Sequence, residues 1–184
     1  MKFFKSIFMI IALLGASVSA QATLIDFDDI ATGDNVDDFY SSIGVEFEPS
    51  DWLVISNYGE TSAPNFAVSI ESVSYVNFLD GIITGVNFSY GAFQDVTISL
   101  FDGLNGSGNL LSSSILTTND PNNFDFTNIS FTGTAYSLVV TSSPSTFGWD
   151  DLTFTDANTT TVPAPATGLM FLLGLATLAF RRRS

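Results

Sequence analysis

The sequence contains no cysteine and no histidine. Disulfides, thiol nucleophiles, imidazole bases, zinc-finger sites and haem ligation by those side chains are therefore excluded. Only oxygen ligands remain for a metal ion, and hard-cation rules then favour calcium over magnesium and both over transition metals. Positive charge is also missing, except at the ends. The five basic residues are Lys2, Lys5, Arg181, Arg182 and Arg183, whereas all nineteen acidic residues lie between Asp26 and Asp156. Taking those five positives from the formal charge of −14 leaves −19 on the intervening stretch, which has no side-chain cation for an internal salt bridge. Such a field repels nucleic acid and anionic polymers, and its self-repulsion opposes folding unless counter-ions help. Without disulfides the stretch relies on its core, and thirteen of the eighteen phenylalanines fall within it.

A helical apolar stripe is absent from the same stretch. Apolar residues instead recur at alternate positions between turn residues, the pattern of half-buried strands. Val86, Phe88 and Tyr90, then Val96, Ile98 and Leu100, then Tyr136, Leu138 and Val140 each point one way while Asn, Ser and Thr point the other. The clearest strands run over 24–28, 44–48, 52–56, 66–70, 83–90, 96–101, 110–116, 124–131, 136–140 and 149–154. About ten short antiparallel strands predict an all-β, jelly-roll β-sandwich over residues 23–155. Phe124 and Phe126 are out of phase with Ile129 and Phe131, which predicts a bulge near Thr127. Residues 101–109 read as a hairpin loop, residues 143–146 as an exposed loop and residues 156–161 as a linker.

The ends have a different organisation. Lys2 and Lys5 precede an apolar run from Ile7 to Leu14, and small residues follow it as far as Ala20. This is the order of a secretory signal peptide over residues 1–22, with cleavage after Ala20 or Ala22. At the other end, Val162-Pro163-Ala164-Pro165-Ala166 leads into an apolar run that Arg181, Arg182 and Arg183 terminate. The nineteen residues from Val162 to Phe180 approach the ~20 needed for a membrane helix. The arginines resist translocation, which predicts a cytoplasmic tip and an exported domain. Residues 162–184 resemble the PEP-CTERM family of sorting signals, with Val162, Pro163, Pro165 and Ala166 matching its motif and Ala164 replacing the usual Glu. The resemblance implies an exosortase partner, transient anchoring in the inner membrane, and delivery to the cell surface or an exopolysaccharide matrix.

Three sets of side chains are site candidates. If Leu152 and Phe154 face inward, alternation places Asp150 inward too, and a buried carboxylate here must be met by a cation or by several backbone donors. First and last strands commonly pair, which would bring Asp26 and Asp28 towards Asp150. This layout is similar to that of galactose-binding-like jelly rolls of carbohydrate-binding modules, and the resemblance implies a structural calcium on these three acids. The alternative is that Asp28, Asp29 and Asp151 cap backbone amides in turns. A second cluster, Asp34, Asp37 and Asp38, lacks EF-hand spacing and reads as a solvated loop. Trp52, Tyr58 and Trp149 are candidate sugar platforms, since Trp and Tyr combine flat apolar faces with a polar edge.

The residue types exclude most catalysis. A glycoside hydrolase is the one enzyme class comfortably permitted, needing two carboxylates about 5 to 10 Å apart, but nineteen acids supply such a pair by chance. The first expectation is a non-enzymatic, exosortase-sorted surface or matrix protein associated with exopolysaccharide or biofilm. The alternative is a calcium-stabilised carbohydrate-binding module.

Overall fold

The computed structural model describes residues 22–157, so the expected leader up to Gln21, the expected 156–161 linker from Asn158 onward and the expected sorting tail lie outside the described residues. Nine antiparallel strands account for most of the described chain: β1 Ala22–Ile25, β2 Val45–Phe47, β3 Trp52–Ser56, β4 Asn65–Ser69, β5 Val73–Ala92, β6 Val96–Phe101, β7 Leu110–Leu116, β8 Asp125–Thr141 and β9 Phe147–Asp156. Short 3-10 turns occur at Ser41–Ile43 and Leu104–Gly106. No helix among the described residues is long and apolar enough to cross a membrane.

Two long strands fold this hydrogen-bonded array into a sandwich. β5 and β8 pair along most of their length, with register shifts between Asn77 and Ile82 and between Ile83 and Gly85. Before the shifts, β5 lies between β2 and the second half of β8, which continues to β6 and β7. After them, β5 lies between the first half of β8 and β9, and β9 continues to β4 and β3. β1 pairs with the second half of β9, so the first and last strands are neighbours as expected. Ring contacts join the layers: Phe78 of β5 lies 5.1 Å from Phe154 of β9, and Phe47 of β2 lies 5.8 Å from Trp52 of β3. The alternating residues of all three expected trios, Tyr136 apart, are buried in this core.

Three expectations change. Among the described residues there are nine strands rather than about ten, because 124–131 and 136–140 belong to one continuous β8, while β5 begins ten residues earlier than the expected 83. The phase change at Thr127 is not a bulge, since Phe88 pairs Thr127 and Ser89 pairs Phe126 in regular register. Phe126 points outward and is 70% exposed, whereas Ile129 and Phe131 point into the core. The irregularity falls instead where Gly85 faces Ser130 and Ile83 faces Thr134. The hydrophobic pattern shows the phase change but not its cause, which is that Phe124 packs against Phe66 on the outer face.

Candidate functional site

The outer face of the β3–β4–β9–β5 layer is apolar where such a face is ordinarily polar. Strand alternation explains its composition. Trp52, Val54, Ala67, Phe147 and Trp149 enter the core, so Leu53, Ile55, Phe66, Val68 and Gly148 are left on the outside. Phe88, Tyr90 and Ala92 do the same on β5 and leave Gly91, and Phe93 just beyond the strand, on the groove side. The segment before β8 folds over this face with Pro121 and Phe124. The result is a groove of about 210 Å³.

Glycines give the groove its depth. A methyl group at Gly91 would lie 2.5 Å from the Phe124 ring, and one at Gly148 would lie 2.7 Å from the Phe66 ring. Phe66 is therefore packed directly over bare backbone, with its ring 5.0 Å from Phe124 at 83° and 5.9 Å from Tyr58 at 76°. Tyr58 is 54% exposed and Phe93 is 58% exposed, so both rings stand at the rim. Among the described residues no charged side chain lines the groove.

Tyr58 is carried by the β3–β4 connection, whose backbone is held mainly by carboxylates. Glu60 accepts the amides of Asn57 and Tyr58 at 2.9 and 2.8 Å. Asp28 accepts the amide of Asn65 at 2.9 Å, and the Asn65 side chain donates to the Ile30 carbonyl at 2.9 Å. Asp150 accepts the amides of Thr61 and Ser62 at 2.9 and 2.8 Å, the Ser62 hydroxyl at 3.2 Å, and its neighbour's amide, Asp151, at 2.8 Å. The far side of the connection also fits closely: the Phe124 amide donates to the Gly59 carbonyl at 3.1 Å, and a methyl at Gly59 would lie 2.2 Å from the Asn122 carbonyl carbon.

Asp150 is fully buried, as expected, but not on the same side as Leu152 and Phe154. Asn87 faces Thr153 while Ser89 faces Asp150, so β9 carries an extra residue, and Asp151 absorbs it at φ 53°. Trp149 and Leu152 are both in the core, which puts Asp150 on the groove side beneath the β3–β4 connection. Burial is the main force on this group and pushes its carboxyl up to about 6; the Ser62 amide opposes the rise, and the Asp151 charge adds to it.

The expected carboxylate trio does not converge. β1 ends at Ile25, and Phe27 adopts φ 62°, so Asp26 and Asp28 lie in the turn beyond the strand rather than on one strand face. Asp26 accepts the Asp28 amide at 3.3 Å, and Asp28 accepts the Asn65 amide, a backbone-capping role of the kind weighed for Asp28 as the alternative to metal binding. Among the described residues no three acidic side chains lie close enough together to hold a metal ion. Asp37 and Asp38 border a surface pocket of about 410 Å³ with Glu46 and Glu48, and Asp37 accepts the Ser50 amide at 2.9 Å.

Among the expected sugar platforms only Tyr58 lies on the groove. Trp52 and Trp149 are 0% exposed and stack on each other, with ring centroids 4.8 Å apart and 14° between planes. They form the centre of the core and offer no face to a ligand. Phe66, Phe93 and Phe124 were absent from the expected set. Their signal was available, since Phe124 breaks the inward phase of the strand that follows it and Phe93 sits one place past the inward Ala92.

No protein-family profile matches the chain, and no curated protein does. Solved structures with a similar backbone course include a family 6 carbohydrate-binding module, 15% identical, covering 73% of this chain and 94% of that one at a TM-score of 0.48. A family 6 module from Clostridium stercorarium, solved in complex with cellobiose, is 15% identical over 73% of this chain and 94% of that one at 0.46. A family 29 carbohydrate-binding module is 14% identical over 75% of this chain and 90% of that one at 0.47. Chemistry for this chain has to come from its own residues.

Proposed function

We propose that this protein is a non-catalytic carbohydrate-binding domain that takes sugar rings in the groove on its outer face. The observation that carries the reading is a rim of two exposed aromatic rings, Tyr58 and Phe93, beside an apolar floor that contains no charge. Pyranose rings have apolar C–H faces that stack on such surfaces, and Tyr58 adds a hydroxyl at the edge. A second copy of the chain is a poor occupant, because a face-to-face dimer brings together only like charges from domains of −19 each. The pinned backbone of the Tyr58 connection supports the same reading, since a rim already in place loses little conformational freedom on binding.

The setting we propose is extracellular. Lys2, Lys5 and the apolar run after them support export, and the Val162-Pro163-Ala164-Pro165-Ala166 tail with Arg181, Arg182 and Arg183 supports exosortase sorting towards an exopolysaccharide layer. Cleavage after Ala20 keeps β1 whole, whereas cleavage after Ala22 removes the rung between Ala22 and Thr155.

Native gels containing soluble polysaccharides test the binding reading. At least one neutral polysaccharide should retard the protein, and Tyr58→Ala and Phe93→Ala should each restore its mobility. Unretarded migration in every gel, or a dimer by sedimentation that the same substitutions dissociate, contradicts it. Protease added to intact cells should digest the domain if it is exported; complete protection contradicts the extracellular setting.

A further inference from the structure

From the chemistry of the groove floor we infer its ligand class: uncharged pyranose chains whose ring substituents are all equatorial, with axial-hydroxyl and uronate sugars discriminated against. The inference rests on the saccharide reading above and deepens it.

The first part follows from what the floor can and cannot solvate. Leu53, Ile55, Phe66, Val68 and Ile70 supply side-chain carbon only. Ser145 and Thr146 also line the groove, and the Thr146 hydroxyl already donates to the Ser143 carbonyl at 2.6 Å. A ring laid flat on this surface presents its axial substituents to the floor and its equatorial ones to the sides and to water. Axial hydrogens fit an apolar floor. An axial hydroxyl gives up its water there and gains no partner, which weakens binding by about tenfold or more. In a β-1,4 chain alternate rings are flipped, so a mannan turns an axial hydroxyl to the floor at every second ring, whereas a glucan turns none.

The second part follows from charge. A carboxylate on the sugar meets no Lys, Arg or His anywhere between Asp26 and Asp156, and it meets nineteen acids. Two of these acids adjoin groove residues without lining the groove: Glu60 accepts the Tyr58 amide, and Asp120 precedes Pro121 in sequence. At roughly 20 mM salt the screening length is about 20 Å, so this repulsion reaches across the groove; at high salt it fades.

Calorimetric titration of the full chain with three hexamers tests both parts: cellohexaose, β-1,4-mannohexaose, which differs by one axial hydroxyl per ring, and cellohexaose oxidised to the carboxylate at C6. Cellohexaose should bind at least about tenfold more tightly than mannohexaose. The oxidised hexamer should show no heat at roughly 20 mM salt and recover part of its binding at about 0.5 M. Tyr58→Ala should weaken cellohexaose binding, while Ile115→Ala, an exposed apolar side chain on β7 that does not line the groove, should not. Mannohexaose binding as tightly as cellohexaose overturns the equatorial part, and the oxidised hexamer binding as tightly at low salt overturns the charge part. Binding of none of the three overturns the saccharide reading itself, together with this inference.

Discussion

The buried carboxylate of Asp150 accepts the backbone amide of Ser62 at 2.8 Å, across 88 residues of sequence. That contact and its companions from Thr61 and the Ser62 hydroxyl fasten the connection that carries Tyr58 to the last strand of the fold. Asp150→Ala leaves at least two amides without their acceptor beneath the connection. Unsatisfied buried donors cost about 1–3 kcal/mol each, so urea unfolding should show a loss of about 2–4 kcal/mol. Hydrogen exchange should accelerate first at Thr61 and Ser62; a uniform change across all strands contradicts the assignment.

The same group sets a pH dependence. Burial raises the Asp150 carboxyl from its ordinary value to about 6, and burial followed by the charges of Glu48 and Glu71 raises Asp51 as well. A raised acid binds its proton more tightly in the folded state, so its contribution is complete below the ordinary carboxylate value and is lost as the pH rises through about 6. Asp102 and Asp120 are lowered by hydrogen bonds from Asn109 and Asn122, and their contribution is lost as the pH falls below the ordinary value. The unfolding free energy should therefore be higher near pH 5 than near pH 7.5, by on the order of 2 kcal/mol. Asp150→Asn should flatten that slope, and a wild-type protein more stable at the higher pH refutes the sign.

Aromatic substitutions should separate into two classes. Trp52→Ala removes a fully buried ring stacked on Trp149 and should cost about 3–5 kcal/mol in unfolding free energy. Tyr58→Ala removes a half-exposed ring and should shift stability by less than about 1 kcal/mol while weakening polysaccharide binding. Loss of binding in a folded, thermally unperturbed Trp52→Ala protein would count against this division.

Groove depth depends on bare backbone. Gly148→Ala should push the Phe66 ring from its place, lowering stability by about 1–3 kcal/mol and reducing polysaccharide binding. A cavity-filling substitution that leaves binding untouched places the ligand elsewhere.

Much of the sandwich was legible in the sequence because half-buried strands alternate. The bounds of β3, β6 and β7 match expectation residue for residue, and the pairing of β1 with β9 follows from the ordinary closure of such folds. What escaped were features that break period two. The bulge at Asp151 inverts the side on which Asp150 lies, and a left-handed turn at Phe27 removes Asp28 from its strand. Asp150 was read as a buried carboxylate needing a cation or several backbone donors, and Asp28 as a calcium ligand or a cap on backbone amides. Their partners are amides from a connection more than thirty residues distant from Asp28 and more than eighty from Asp150, a proximity that no local pattern encodes. The groove was half legible: Tyr58 was read as a platform, while Trp52 and Trp149 were drawn into the core by the same alternation that left the phenylalanines outside.

Backbone amide chemical shifts, followed by NMR while a neutral β-glucan is titrated into the protein, test the groove most directly. Perturbations should concentrate at Leu53 to Tyr58, Phe66 to Ile70, Gly91 to Phe93 and Ser145 to Gly148. Shifts centred on β7 or on the loop between β6 and β7, with the groove residues unmoved, contradict the assignment of the binding face.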